Sequence, residues 1–431
     1  MSARSEMSLS WAPWMCRWHV WALLLLAVPY AAATTQPVDS AQAGRKRLAA
    51  NSTLEKVVSF PGQLAYAPVR YTVLGLGYAG VYLVQTGVVD KIVSVVGGAG
   101  FTPVYAPRTG AGLRFTRLDC LTKGAALITT ASSWLDGRQL YSVEWSDVPL
   151  GTALTTEYSI RYRSLTAEAF YGVGPEAATD DKVVYSEEDV LFEFSIAKRL
   201  NRFFRAKLDI GISNTSIFAG RNGFTPTIND YYSQASLPGF KDKNRFQGTE
   251  LSLRFDDAND PGHPTAGRIG KIAGLFFHDL HGDRQSFWKT SLDFTQHLHL
   301  FHDRVLVLRG AGEMTQAAEG HDIPFYHLAE IGSYGTVRGL TRGRFRDNDY
   351  VLGSAEYRYP VWIPWAKLVD AVVFVDGGQV AHDVFEDARF ADWQIGYGGG
   401  FRFYNATTLI AKTEIAFSQE SYRFYFTLNT P

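Results

Sequence analysis

Tyr422-Arg423-Phe424-Tyr425-Phe426-Thr427-Leu428 alternates without a break. Tyr422, Phe424, Phe426 and Leu428 fall on one face of an extended chain, and Arg423, Tyr425 and Thr427 on the other, because successive strand side chains point to opposite faces. The same period of two recurs upstream at residues 112–116, 139–145, 158–162, 191–196, 203–212, 247–255, 289–300 and 305–313. It continues at residues 351–359, 369–375, 394–403 and 409–417. From residue 101 onward these segments follow one another through short polar turns or longer hydrophilic loops, and no strong amphipathic helix interrupts them.

Composition narrows what such an array can be. The chain of 431 residues is 14% aromatic and 20% charged, with 40 glycines, 2 cysteines and a formal net charge of −1. Disorder needs low hydrophobicity and high charge, the reverse of this profile. A disulfide scaffold needs many more cysteines. A nucleic-acid partner would call for a basic excess, and none is present.

Two architectures give this alternation. A soluble sandwich or propeller turns the apolar face inward. A transmembrane barrel turns it outward to lipid and leaves no open sheet edge. Aromatics gather toward segment ends, as in Trp288, Tyr357, Tyr359, Trp362, Trp365 and Tyr397, and the strands are rich in glycine. One continuous array with girdle-like aromatics favours an all-β transmembrane antiparallel β-barrel over residues 101–431, of about sixteen strands. Gly398-Gly399-Gly400 then relieves barrel curvature inside a strand rather than cradling a phosphate.

The amino-terminal end carries an address. Arg4 and Arg17 precede an apolar run over residues 21–30, and Ala31-Ala32-Ala33 follows. That is the layout of a secretory signal peptide over residues 1–33, the apolar run being too short to span a bilayer. After its removal Cys120 is the only cysteine, so no internal disulfide forms. Residues 34–56, with the basic knot Arg45-Lys46-Arg47, form a loose tether. Residues 71–89 carry no charge and admit a membrane helix, strands or an amphipathic helix. The favoured reading of residues 57–100 is a short, partly helical module on the periplasmic side. Gly75-Leu76-Gly77-Tyr78-Ala79-Gly80 fits the dinucleotide fingerprint, but Asp90 comes too early and no βαβ unit follows.

Other candidate chemistry is weak. Thr295, His297 and His299 share the polar face of one segment, and His278, His281 and His302 lie nearby in sequence. A firm metal site wants three or four convergent ligands, so these read as lumen wall and no metal is expected. Residues 256–260 lack the ligand spacing of a calcium loop and read as a turn. No nucleophile elbow or Ser/His/Asp set stands out, so neither enzymatic activity nor a cofactor is expected.

The most informative region lies between Glu313 and Val351, a connection too long to be idle. It carries Val337-Arg338-Gly339-Leu340 and then Arg342, Arg344 and Arg346. Beyond it come Glu356 and Pro360 on one strand and Phe374-Val375-Asp376-Gly377-Gly378 on the next. Here the sequence resembles the bacterial surface-antigen family of outer-membrane barrels, the superfamily of BamA and the two-partner secretion translocators. The resemblance rests on a V-R-G-[FY] motif in a long lumen-folded loop, with Leu340 in place of the aromatic, and on an F-x-D-x-G strand motif. The turn from Asp256 through Pro261 to Gly267 looks like another family motif, with Ala258 and Asn259 replacing its usual Arg and Asp. Phe170-Tyr171-Gly172-Val173-Gly174 is similar to a strand end of members lacking POTRA domains.

A long loop inside a barrel loses much entropy unless something pins its tip. A guanidinium facing a carboxylate in a partly desolvated lumen makes a strong bidentate pair. Arg338 is therefore expected to pair with Asp376, with Glu356 as second acceptor, and Gly339 to let the tip turn against the wall. The resemblance implies the bacterial outer membrane and a role in inserting or translocating proteins or lipid-linked material. Its implied partners are outer-membrane lipid, unfolded outer-membrane proteins and periplasmic chaperones. The alternative is a passive channel or structural barrel that keeps the plugging loop.

Overall fold

The computed structural model describes residues 100–431 except 107, 152, 222–224, 234–235, 241–242, 283, 362–368, 406–407 and 429–431. The signal peptide, the tether, residues 57–99 of the partly helical module and the dinucleotide-like motif lie outside the described residues, as do Trp362 and Trp365.

The chain forms strands β1 (Phe101–Ala106), β2 (Gly110–Leu118), β3 (Ala126–Ser133), β4 (Gln139–Leu150), β5 (Leu154–Phe170) and β6 (Val183–Arg199). There follow β7 (Phe204–Ala219), β8 (Asn244–Asp256), β9 (Gly267–Asp279), β10 (Phe287–His299) and β11 (Val305–Ala317). Inside one long loop lie β12 (Ala329–Ile331) and β13 (Phe345–Asp347), and then come β14 (Asp349–Pro360), β15 (Val369–Ala381), β16 (Gln394–Asn405), β17 (Thr408–Ser418) and β18 (Tyr422–Leu428). All but β12 and β13 pair with their sequence neighbours into one closed, antiparallel 16-stranded barrel, with β11 beside β14 and β18 beside β1. β12 and β13 make a separate two-stranded ribbon.

The alternation decides which face is which. On β15 Val373 and Val375 are exposed on the outer wall, while Phe374 and Asp376 are buried inside. The outer wall continues through Tyr141, Val143, Tyr158, Ile160, Phe192, Ile210, Ile212, Leu251, Ile395, Tyr397, Ile415, Phe417, Phe424 and Phe426, all exposed. An apolar outer face and a polar, charged interior are the inversion that lipid imposes on a barrel.

Three strands escape the alternation. β1 is short and interrupted by Pro103, and β3 is built largely of small Ala, Ser and Thr. On β9, Gly270 and Gly274 take outward positions beside Phe294 and Thr290 of β10, so the apolar face is thinned where lipid would meet it. β5 and β6 each run 17 residues, well past the length a tilted span needs. Near their far ends Leu165, Thr166, Val183, Val184, Tyr185, Ser186 and Glu187 are buried in succession. Loop residues Ile228, Leu237, Phe240, Phe325 and Leu328 pack there with Phe170, Tyr185 and Ile217, covering both strand faces and ending the period of two.

The barrel has one weak join. Among the described residues β1 and β18 share a single registered pair, Tyr105 with Leu428, whereas β5 and β6 stay paired from Leu154–Lys198 to Phe170–Val183. We call the end where β1 begins and β18 finishes the terminal end, and the other the long-loop end.

Candidate functional site

Residues 318–348 enter the lumen from the long-loop end. Their tip is held by a turn at Ser333–Thr336, where the Ser333 and Thr336 hydroxyls lie 3.1 Å apart and the Gly332 N–H donates to Thr336 Oγ1 at 3.0 Å. Ile331, Val337, Leu340, Phe345 and Val380 then form a small apolar core between loop and wall. Leu340 thus fills the aromatic position of the motif and is buried.

That core presents Arg338 to β15. Its Nε donates to Asp376 Oδ2 at 2.7 Å, its Nη2 to Oδ1 at 2.8 Å and its backbone N–H to Oδ2 at 3.1 Å. The Ser354 hydroxyl donates to Oδ1 at 2.6 Å, so Asp376 is fully satisfied although 1% exposed. Nη1 reaches Glu356 Oε2 at 3.3 Å, and the guanidinium lies 3.4 Å above the Phe374 ring. Phe374, Glu356, Asp376 and Ser354 converge because Glu356 pairs with Phe374 and Ser354 with Asp376 across β14 and β15, and paired residues share a face.

Gly339 has φ +95°, and a Cβ there would sit 2.7 Å from the Phe417 carbonyl. Its N–H donates to the Tyr425 hydroxyl at 3.2 Å, and its carbonyl accepts from Ser421 Oγ at 2.7 Å. On β16 three successive inward positions are Gly396, Gly398 and Gly400. A Cβ at Gly396 would collide with the Arg338 carbonyl, so the bare strand is what lets the tip lie against the wall. Gly378 faces Val337, 3.1 Å from where its own Cβ would stand.

The pocket holds charges that the motifs did not point to. Glu414 on β17 is 1% exposed and lies 3.5 Å from Arg338 Nη1, 3.2 Å from Arg402 Nη2 and 3.1 Å from Lys412 Nζ. Arg402 also donates to Glu356, and Arg358 Nε reaches Glu356 Oε1 at 2.8 Å. The signal was present in Arg402, Lys412 and Glu414, charges at alternate positions of otherwise apolar strands. Only the strand register shows that they share one pocket.

The neighbouring loop arginines reach further. Arg344 pairs bidentately with Glu420, at 2.6 and 2.7 Å, and donates to the Ala177 carbonyl at 2.7 Å. Arg346 meets Glu330 at 2.9 Å and the Tyr185 hydroxyl at 3.1 Å. Arg342 joins Glu330 and Glu168, each at 3.3 Å. Gly174, in the strand-end motif, donates its N–H to the Arg346 carbonyl at 2.8 Å. Arg344 lies 4.6 Å above the Tyr171 ring.

The turn containing Asp256, Pro261 and Gly267 lies apart from this pocket, at the terminal end. Asp256 Oδ1 accepts from the Ala258 N–H at 3.2 Å, and Asp257 pairs with Arg268 at 2.7 Å. Asn259 Oδ1 accepts from the N–H groups of Thr265 and Ala266, both at 3.0 Å, holding the turn without an ion pair at that position. Gly267 has φ +104°, and Pro261 is exposed. Three residues beyond Asp260, His263 Nε2 reaches Asp370 Oδ2 of β15 at 2.8 Å, so the turn folds across the barrel mouth. His297 faces inward and is buried; among the described residues no set of three or more His, Cys, Asp or Glu could hold a metal.

A family model described as the Omp85 superfamily domain matches residues 126–430. Among solved structures the barrel is similar to BamA from Haemophilus ducreyi lacking POTRA domains 1-3, at 17% identity over 76% of this chain and 69% of that one, with a TM-score of 0.57. It is also similar to CdiB from Escherichia coli, at 12% identity over 76% of this chain and 61% of that one, with a TM-score of 0.50. At such identities these likenesses speak for the fold alone. No curated protein sequence matches. Loop motif, strand motif, barrel and family model agree, and the chain belongs to the Omp85 superfamily.

Proposed function

We infer that this barrel works in the bacterial outer membrane, inserting or translocating polypeptide through a seam that opens between β1 and β18. The observation that carries the reading is the contrast at that seam: among the described residues one registered pair there, against thirteen between β10 and β11. Parting β1 from β18 breaks few backbone hydrogen bonds, while the loop stays gripped on β14 to β18 through Arg338, Gly339 and Arg344. The clamp thus keeps the lumen filled as the wall opens, and the exposed edge of β1 or β18 can pair with an incoming strand. Unfolded outer-membrane proteins and periplasmic chaperones are the partners this reading implies, and it assigns the protein no catalytic chemistry. Depletion followed by a census of outer-membrane proteins and lipids tests it; an unchanged census sinks it.

A passive or structural barrel is the second reading. The deep seating of residues 318–348, whose Val337 and Ile331 are fully buried, favours a permanent plug. Under this reading, deleting residues 317–348 opens a conducting pore while the census stays unchanged.

A further inference from the structure

The seam that the backbone leaves weak is tied from inside by side chains. Among the described residues β1 and β18 share one registered pair, whereas the β1–β2 hairpin is held to β3 from Ala111–Ser133 to Leu118–Ala126. The hairpin is therefore a flap, fastened along β3 and nearly free along β18. Its tip carries Arg108. Ala111, Ser133, Gln139 and Ser164 follow one another in a cross-strand row over β2 to β5, and β3 turns into β4 just past that row, at residues 134–138. β5 runs on to Phe170, so Arg108 and Glu168 both rise beyond the β3–β4 turn. There Arg108 Nη2 donates to Glu168 Oε2 at 3.2 Å.

Glu168 faces the lumen only because β5 is irregular there. Arg161 and Arg163 of β5 point inward, to Asp189 and Glu187 of β6, so odd-numbered residues hold the inner face up to Leu165. The register then slips, and the bulge sets Glu168 opposite the inward-facing Tyr185. On an unbroken β5 its side chain would stand on the outer wall. The re-aimed carboxylate takes two arginines on one oxygen, Arg108 Nη2 at 3.2 Å and Arg342 Nε of the plugging loop at 3.3 Å. Thr341, the residue before Arg342, accepts from Arg423 of β18. Successive loop residues thus touch the lip at β18 and the anchor of the flap that carries β1, and they span the seam from within.

We propose that Glu168 is the keeper of a side-chain bolt on the seam: its pair with Arg108 holds the β1–β2 flap shut, and the parting of that pair is the step that lets β1 leave β18. A full ladder of backbone hydrogen bonds has to give way together, whereas one charge-assisted pair opens and recloses alone. The proposal rests on the reading that β1 and β18 part, and not on what the opening passes.

The test reads the width of the seam by pulsed electron spin resonance, with the full chain in phosphatidylcholine nanodiscs. Spin labels go on Leu113→Cys of β2 and Phe424→Cys of β18, both exposed on the outer wall, in a Cys120→Ser background. With Arg108 and Glu168 intact, one short distance should dominate. Arg108→Gln should raise the long-distance population about tenfold. Glu168→Gln should raise it further, because two guanidinium groups are then left facing each other. Arg108→Lys keeps the charge and should stay closed. Arg163→Gln should stay closed too, since it breaks pairs to Glu187 and Asp189, both at 2.7 Å, that do not touch the flap. Unchanged distances in both Arg108→Gln and Glu168→Gln overturn the proposal, and so does equal widening in Arg163→Gln. The distances need no cargo, so a bolt that fails here and a barrel that inserts nothing are separate results.

Discussion

Replacing Arg338 with alanine leaves Asp376 buried with only Ser354 and one backbone N–H to answer it. Glu356 and Glu414 keep Arg402, Arg358 and Lys412, so the loss concentrates on a single carboxylate. Breaking a buried pair from one side costs roughly 3–5 kcal/mol, and here that comes out of loop docking. Limited proteolysis should cut residues 318–348 rapidly in Arg338→Ala and in Asp376→Asn, with barrel migration in cold gels unchanged. Intact loops in both variants would show that the pair does not hold the tip. Exchanging the two residues should recover only part of the protection, since stacking on Phe374 depends on the native arrangement. Gly339→Ala should also loosen the tip, because φ is +95° and the new Cβ meets the Phe417 carbonyl at 2.7 Å. Left-handed backbone alone costs a non-glycine residue about 1–2 kcal/mol.

The long loop depends on more than its tip. His327 sits among Phe246, Phe277 and Phe287, with ring centroids 5.6, 4.7 and 5.1 Å away. Burial, with Lys289 and Arg163 adding to it, holds its pKa well below the ordinary value. A depressed folded pKa means the docked loop keeps this histidine neutral, while the released loop takes up a proton near pH 6.5. The contribution to docking is therefore complete above about pH 6.5 and declines as pH falls below it. Proteolysis of the loop should accelerate between pH 7 and pH 5, and His327→Phe should flatten that dependence. Much of this element could be read in advance: Val337-Arg338-Gly339 and Asp376 are local motifs, and each names its own chemistry. His327, Glu414 and Glu420 could not, because their meaning lies in partners brought together by register and loop path. Strand boundaries failed for a related reason. Alternation marks strands only where one face meets lipid, and it vanishes at Leu165 or Val184, where loops cover both faces.

For the barrel as a whole, the seam gives the decisive experiment. Tyr105→Cys with Leu428→Cys, in a Cys120→Ser background, places two thiols at the registered pair that β1 and β18 share among the described residues. If the barrel inserts or translocates polypeptide as proposed, locking that pair should abolish this activity in a depletion strain and leave it intact under reducing conditions. Unimpaired rescue by the oxidised form would exclude opening at this seam.

The final hairpin has a consequence for how the molecule comes together. β17 and β18 carry Ser418 and Tyr425, and the turn between them carries Ser421; these three hold the Gly339 peptide, and Glu420 of the same turn holds Arg344. β18 is also one lip of the seam. The same hairpin therefore both seats the plug and completes the cylinder. Amides of residues 337–344 and of β17 and β18 should exchange with solvent as one cooperative unit. Their shared opening then measures how often a closed barrel lets go of plug and seam together.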